Sequence, residues 1–351
     1  MSLGVGVIGC GAIGSVHAEC YAKAPGARLL AVVDLLPQKA KQVAERWDVP
    51  VAIEDYRELL TRSDIGAISV CLPNHLHCPV TLDCLRAGKH VLCEKPIALN
   101  LEEARRMQQE ARERHRLLAI GVVNRFNEYV RLVRKTIQGG QLGRVYHVSF
   151  LFRNYRSIPG LGRWFTDRKL AGGGVMIDWG VHFLDLVLFC LGFPRPLSVS
   201  GVAHAVLGRE PRKYVYTSMW AGPPEYRGVC DVEEYVAGLL RTEGPSIAFE
   251  GAWAQSVDEK AMHIDFHGEK GGIRLQYGKE FTLYSAHDGV LYETKPTTTV
   301  GNMYQAEIDS FVQCASRGKE SPAAIQTVLM TQHIIDLFYA SAKVGKELSF
   351  H

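Results

Sequence analysis

The sequence predicts an α/β protein in two parts: an N-terminal doubly wound parallel sheet, and a C-terminal α+β domain with a large, mostly antiparallel open sheet. Three observations carry this. The first third alternates short, near-continuous apolar runs with amphipathic helical stretches. That alternation stops near residue 123, and beyond it segments rich in β-formers follow one another with few helices between them. Finally, 351 residues exceed the length at which one hydrophobic core stops growing, roughly 250–300 residues. Apolar strands separated by helices belong to parallel sheets covered on both faces, whereas consecutive strands belong to antiparallel ones.

In order, the predicted elements of the first part are a strand at 5–9, a helix at 12–24 ending at Pro25-Gly26, a strand at 29–34 and a helix at 38–47. A helix at 56–60, a strand at 67–71, a helix at 75–87, a strand at 91–93, a helix at 101–114 and a strand at 117–120 follow. Right-handed crossovers between such strands give a doubly wound domain, drawn here as residues 1–123. Residues 124–351 form the second domain. A helix at 130–138 precedes strands at 145–152, 197–206, 214–220, 232–240, 246–254, 262–267, 273–277, 281–284 and 290–293. Helices at 304–315 and 323–342 close the chain, and the last is expected to be able to pack back on the first domain.

Gly9-Cys10-Gly11-Ala12-Ile13-Gly14 closes the first strand and opens the first helix. In that context a GxGxxG run is a dinucleotide fingerprint of the Rossmann type. Gly9 permits the turn, Gly11 lets the backbone approach a pyrophosphate, and Gly14 lets the helix pack close to the strand. The N–H groups around Ala12 and Ile13 sit at the positive end of the helix. Asp34 lies twenty residues beyond Gly14 at the end of the second strand, where a carboxylate accepts hydrogen bonds from a ribose. It repels a 2′-phosphate, so NAD is preferred; Lys39 and Lys41 leave NADP open. Leu72, Pro73 and Asn74 follow the next strand and face the cofactor's nicotinamide half, with Asn74 as N-cap of the next helix; ordinary strand–turn–helix punctuation explains the same residues. His77 reads as a functional base near the cofactor, or as helix-face packing or surface exposure. Glu94-Lys95-Pro96 ends the fourth apolar strand, and a lysine there needs a partner or a task.

On the predicted helix 175–191, after Gly172-Gly173-Gly174, Asp178, His182 and Asp185 fall at i, i+4 and i+7, on one face. The rest of that helix is strongly apolar. Three explanations fit the spacing: a structural network, a metal site lacking further ligands, or catalysis. Arg125, Arg153, Tyr155, Arg156 and Trp164, with Asn124, are the polar and aromatic candidates for contacting a substrate. The arginines raise the prospect of an acidic one.

Composition excludes other classes. The 40 basic and 37 acidic residues are interspersed, so no basic face for nucleic acid is expected. The sequence has no eighteen-residue apolar stretch and no signal-peptide pattern at its start, so neither membrane insertion nor export is expected. The nine cysteines form no CxxC pair and several sit in apolar runs, as in a reducing cytoplasm. No metal is expected.

Three blocks, Gly9-x-Gly11-x-x-Gly14, Glu94-Lys95-Pro96 and the run from Gly172 to Asp185, stand in the order found in the glucose–fructose oxidoreductase/inositol dehydrogenase family, which this chain resembles. The resemblance implies an NAD(P)-dependent oxidoreductase acting on a sugar, inositol or sugar derivative. It implies Lys95, Asp178 and His182 as catalytic residues near one another, with Glu94 and Lys95 also touching the cofactor and Asp178 and His182 the substrate. Asp185 is assigned a structural role. A homodimer or homotetramer through the antiparallel sheet is implied too. Two alternatives share the motifs: a glycoside hydrolase using NAD for transient oxidation and elimination, and a non-catalytic nucleotide sensor.

Overall fold

The computed structural model describes residues 2–350. They divide into two compact units, one running to Phe126 and taking in Gly301–Met330, the other comprising Asn127–Val300 and the segment from Thr331 onward. Against the expected division into 1–123 and 124–351, residues 124–126 and 301–330 cluster with the first unit.

The first unit contains β1 (Leu3–Ile8), α1 (Ala12–Lys23), β2 (Ala27–Val33), α2 (Pro37–Trp47), β3 (Val51–Ile53), α3 (Arg57–Leu60), β4 (Ala67–Val70), α4 (His77–Arg86), β5 (His90–Cys93), α5 (Leu101–Glu113) and β6 (Leu118–Ile120). Its six strands run parallel in the order β3-β2-β1-β4-β5-β6. The order reverses between β1 and β4, the place where doubly wound sheets open a crevice at their carboxyl ends. On one face Ile8, Ile68 and Val91 pack with Leu82, Leu85 and Met107 of α4 and α5. On the other, Val7, Val32 and Leu92 pack with Ala18, Tyr21, Val43 and, from the returning segment, Phe311. Each such buried Leu, Met or Phe contributes about 1.5–3 kcal/mol, so the sheet is a rigid platform. In consequence Gly9, Asp34, Cys71 and Glu94, which follow β1, β2, β4 and β5, share one edge.

The second unit contains α6 (Glu128–Gln138), β7 (Val145–Arg153), α7 (Arg168–Ala171), α8 (Val181–Leu191), β8 (Pro196–His204), β9 (Tyr235–Thr242), β10 (Ser246–Ala252), β11 (Ala261–Gly268), β12 (Gly271–Gln276), β13 (Phe281–His287) and β14 (Val290–Thr294). Helix α9 (Met303–Arg317) belongs to the first unit, and after α10 (Ile325–Val344) comes β15 (Leu348–Ser349). Nine strands form one sheet, β14-β13-β12-β11-β7-β10-β9-β8-β15, antiparallel except for the β7–β10 pair. Helix α8 packs on it through Phe183, whose ring stacks 4.4 Å from Tyr277 and lies 5.2 Å from Phe152. The stretch 168–191 is apolar enough for a membrane span but is mostly buried in the protein, as a core helix is.

Two expected elements differ. Residues 214–220 form no strand. Their neighbours Pro211, Gly222, Pro223 and Pro224 interrupt hydrogen bonding, and Val215 and Trp220 stay exposed. The helix expected at 175–191 starts with a π-turn, Met176–Gly180, and becomes α-helical only at Val181.

Candidate active site

The glycines of the fingerprint are required by contacts that can be named. Gly9 has φ +96°, and a Cβ there would lie 2.2 Å from the Cys71 carbonyl oxygen. A Cβ on Gly14 would lie 1.7 Å from the Gly9 oxygen. Gly11 differs: a Cβ on it would meet nothing within 4 Å, so the backbone faces open space at the start of α1. Behind it begin the N–H groups of Ala12 and Ile13, the positive end of a twelve-residue helix. Asp34 closes the arrangement from β2. Its Oδ2 accepts the Cys10 N–H at 2.9 Å and its Oδ1 the Leu36 N–H at 2.9 Å. Two bonds leave a carboxylate with acceptor capacity for a diol. Lys39 is exposed, and Lys41 is paired with Glu45 at 3.7 Å. These residues fit a dinucleotide.

Glu94 follows β5 and is 6% exposed. Its Oε2 accepts the Lys95 N–H at 3.1 Å, and its Oε1 lies 3.1 Å from His17 Nε2. Burial alone pushes the Glu94 carboxyl up, but the hydrogen bond and charge of His17, with Lys95, more than offset it, so Glu94 is held below the usual carboxylate range. Lys95 is half-buried, and the bond to Pro96 is cis. His77 is fully buried, Nδ1 2.7 Å from the Pro96 oxygen and Nε2 2.8 Å from the Leu72 oxygen. Both oxygens only accept, so a neutral imidazole donates its one N–H to one of them and packs against the other. Full burial between these carbonyls matches the packing alternative for His77 rather than a functional base. Asn74 is buried and begins a short 3₁₀ turn that leads into α4.

A buried network next to Glu94 escaped the sequence reading. His17 Nδ1 lies 3.1 Å from Ser69 Oγ, which lies 2.9 Å from the Tyr21 hydroxyl. The signal was there: His17 and Tyr21 stand three and seven residues past Gly14 on the sheet-facing side of α1, and Ser69 interrupts an apolar strand.

In the second unit, Asp178 is buried on the π-turn and its Oδ2 accepts the indole N–H of Trp253 at 3.1 Å. Glu233, also unforeseen, clamps the start of that turn. Its Oε1 accepts from Gly174 N at 2.9 Å, Met176 N at 3.3 Å and the Tyr339 hydroxyl at 2.7 Å. Gly173 and Gly174 are explained here, since a Cβ on either would lie about 2 Å from the Tyr339 hydroxyl or the Glu233 carbonyl. Asp185, 2% exposed, takes a bond from Thr331 on α10 at 3.3 Å. The single stripe expected for Asp178, His182 and Asp185 is therefore modified: a π-turn places an extra residue in the turn, and the two carboxylates answer to different partners. His182 is half-buried, its ring 6.5 Å from Tyr277.

The substrate candidates divide. Asn124 and Arg125 lie buried in a 3₁₀ turn of the first unit. Arg125 Nη1 donates to the Pro322 oxygen at 2.8 Å and Thr327 Oγ1 at 2.6 Å. At 1% exposure Arg125 secures the returning segment and offers no face to a ligand, a correction to its expected role. Arg153, at the end of β7, is paired with Glu250 at 3.1 Å and Glu259 at 2.9 Å. Arg156 (φ +45°) lies 6.0 Å over the Tyr155 ring, and Trp164 packs 4.0 Å from Phe165. Asn154 and Ser157 donate to the Ala252 and Trp253 carbonyls, so this segment borders the Asp178–Trp253 pair.

A glycine fingerprint at the switch point of a doubly wound sheet, with a carboxylate at the end of the neighbouring strand, defines a dinucleotide-binding protein. A second unit supplies an ionisable cluster on a clamped helix start. The chain belongs to the Gfo/Idh/MocA oxidoreductase family: residues 3–122 match its NAD-binding Rossmann domain and residues 130–274 its C-terminal domain. It is 29% identical over 347 residues to a D-glucoside 3-dehydrogenase of Escherichia coli, covering 98% of this chain and 96% of that one. It is 27% identical to an inositol 2-dehydrogenase of Rhizobium meliloti, covering 91% of each. Among solved structures, a levoglucosan dehydrogenase in complex with NADH and levoglucosan superimposes with a TM-score of 0.88 at 21% identity over 99% of both chains, a likeness of fold.

Proposed function

We propose that the protein is an NAD-dependent dehydrogenase that oxidises a secondary hydroxyl of a neutral sugar, cyclitol or glycoside. The observation that carries the cofactor choice is Asp34, whose carboxylate accepts two backbone N–H groups at the ribose end of the fingerprint and would repel a 2′-phosphate. The bound nicotinamide supplies the hydride acceptor; the chain must bind it, orient the alcohol and take the hydroxyl proton. His182 takes that proton, the step for which an imidazole is suited near neutral pH. Lys95 hydrogen-bonds the substrate oxygen, and Asp178, fixed by Trp253, orients His182 or the substrate. Tyr155, Arg156 and Trp164 supply the remaining polar and aromatic contacts. Arg153 is already neutralised by Glu250 and Glu259, which favours an uncharged substrate over an acidic one.

The uncovered face of the nine-stranded sheet carries half-buried His147, Ser149, Leu151, His263 and Asp265, and pairing of two copies through it gives a homo-oligomer, to be checked by light scattering. Seven of the nine cysteines are buried as free thiols, in keeping with the cytoplasm.

The test is a panel of sugars, inositols, glycosides and sugar acids with NAD⁺ or NADP⁺, read by absorbance of the reduced cofactor and repeated with Lys95→Ala. Net NADH formation with a neutral substrate is expected, and the variant should lose roughly 10²–10⁴-fold in kcat while still binding NAD⁺. Turnover of a glycoside without net NADH, or an unchanged rate in the variant, overturns the reading.

A further inference from the structure

Beside Glu94 stands a group that the reaction does not use. Glu307, on α9 in the first unit, is 0% exposed. Among the described residues neither of its carboxylate oxygens has a hydrogen-bond partner. One ligand atom each of Glu307, Glu94 and His17 lies within 4.8 Å of the other two. Two carboxylates at that separation in a dry interior cannot both carry charge cheaply, and one proton is shared or retained.

The two acids are unequal. Glu94 has donors: His17 Nε2 at 3.1 Å and the Lys95 N–H at 3.1 Å. Gly121 makes room for it, since a Cβ there would lie 2.7 Å from Glu94 Oε1. Glu307 has none among the described residues, and the groups around it do little for an anion. Arg125 favours its charged form but has its Nη1 engaged by Pro322 and Thr327. Cys20, Tyr21, Cys71 and Tyr304 are neutral, and Glu94 opposes it.

We propose that Glu307 is held as a neutral carboxylic acid whose proton is directed at Glu94, directly or through one water, and that Glu307 is thereby a positioning residue keeping the Glu94 carboxylate ionised beside Lys95. Burial, with the Glu94 charge second, holds the Glu307 carboxyl well above its ordinary range, in agreement. The importance of this for turnover rests on Lys95 acting on the substrate, as proposed above; the protonation of Glu307 does not.

Infrared difference spectroscopy of the purified protein against Glu307→Gln tests the proton itself. A protonated-carboxyl band that shifts in D2O and is missing in the variant is expected whether or not Lys95 is catalytic. Glu307→Gln should retain kcat/KM within about threefold, because its amide N–H replaces the carboxyl O–H as donor. Glu307→Leu removes the donor, so Glu94 takes up a proton at higher pH. The acid limb of the pH profile should then move up by about one unit, the size of a lost hydrogen bond to a charged group. A limb that stays in place while stability falls makes Glu307 merely structural and overturns the positioning role. Absence of the band in the wild type overturns the proton assignment. So does near-stoichiometric divalent metal that Glu307→Gln releases, since histidine and two carboxylates would then be a metal site.

Discussion

Trp253 gives its indole N–H to Asp178 across 3.1 Å, joining two residues that are 75 positions apart and both buried. The bond fixes the rotamer of the carboxylate with a neutral donor. Trp253 stands one residue beyond β10, and Asp178 stands on a π-turn whose start is clamped by Glu233. The carboxylate is thus held from strand and helix at once.

Trp253→Phe should therefore act on chemistry more than on cofactor affinity. It keeps most of the ring and removes one hydrogen bond to a charged acceptor, worth about 1.5–3 kcal/mol. Expected are a loss of that order in urea unfolding and a lower kcat, with the NAD⁺ dissociation constant unchanged. An unaltered kcat would mean that Asp178 does not need this orientation.

Asp34→Ala should trade cofactor preference. The variant deletes the acceptor for the ribose and the repulsion of a 2′-phosphate, so KM for NAD⁺ should rise by about tenfold, the effect of losing roughly 1.4 kcal/mol. The NADP⁺/NAD⁺ ratio of kcat/KM should rise with it. The measurement is initial rates with both cofactors; an unmoved ratio would separate Asp34 from cofactor choice and leave it only as a cap for Cys10.

What the sequence made legible follows from where its constraints are local. The Gly9–Gly14 turn, the place of Asp34 at the end of β2 and the parallel sheet were readable because strand–turn–helix chemistry is written within about thirty residues. Arg125 was misjudged, and which of the readings of His77 holds was undecidable, because their partners, the Pro322–Thr327 turn and the Pro96 oxygen, come from distant chain. No spacing rule distinguishes a polar side chain that meets a ligand from one that meets a carbonyl. Glu233, Glu307 and Trp253 were missed for the same reason, and the π-turn because its cause is a tertiary clamp at Gly174 and Met176. The false strand at 214–220 came from weighing β-formers above the prolines beside them.

His77 predicts a pH dependence of stability with a definite sign. Burial, the largest influence, lowers its pKa from 6.5, against the pull of the two carbonyls, so the native imidazole is neutral. The unfolded chain takes up a proton as pH falls through 6.5 while the native state does not, so this contribution is complete above 6.5 and declines below it. His77→Gln, which does not titrate there, should show a smaller loss of unfolding free energy between about pH 7.5 and pH 5.5. Equal pH slopes for the two proteins would refute the assignment.

Arg125 offers the sharpest separation of structure from substrate binding. Its guanidinium donates to the Pro322 carbonyl and to the Thr327 hydroxyl and carbonyl, with the longest of these at 3.4 Å, and 1% of the residue is exposed. A lysine has a compact charge and cannot reproduce the planar fork. Arg125→Lys should therefore destabilise the first unit by about 1.5–3 kcal/mol, the scale of hydrogen bonds to a charged group. KM for the sugar should stay where it is at temperatures where the variant remains folded. Thermal unfolding and steady-state kinetics on the same preparation decide the matter: a raised sugar KM with unchanged stability would return Arg125 to the substrate, whereas the opposite pattern places it, as the bonds to Pro322 and Thr327 do, in the framework that ties the returning segment 301–330 into the first unit.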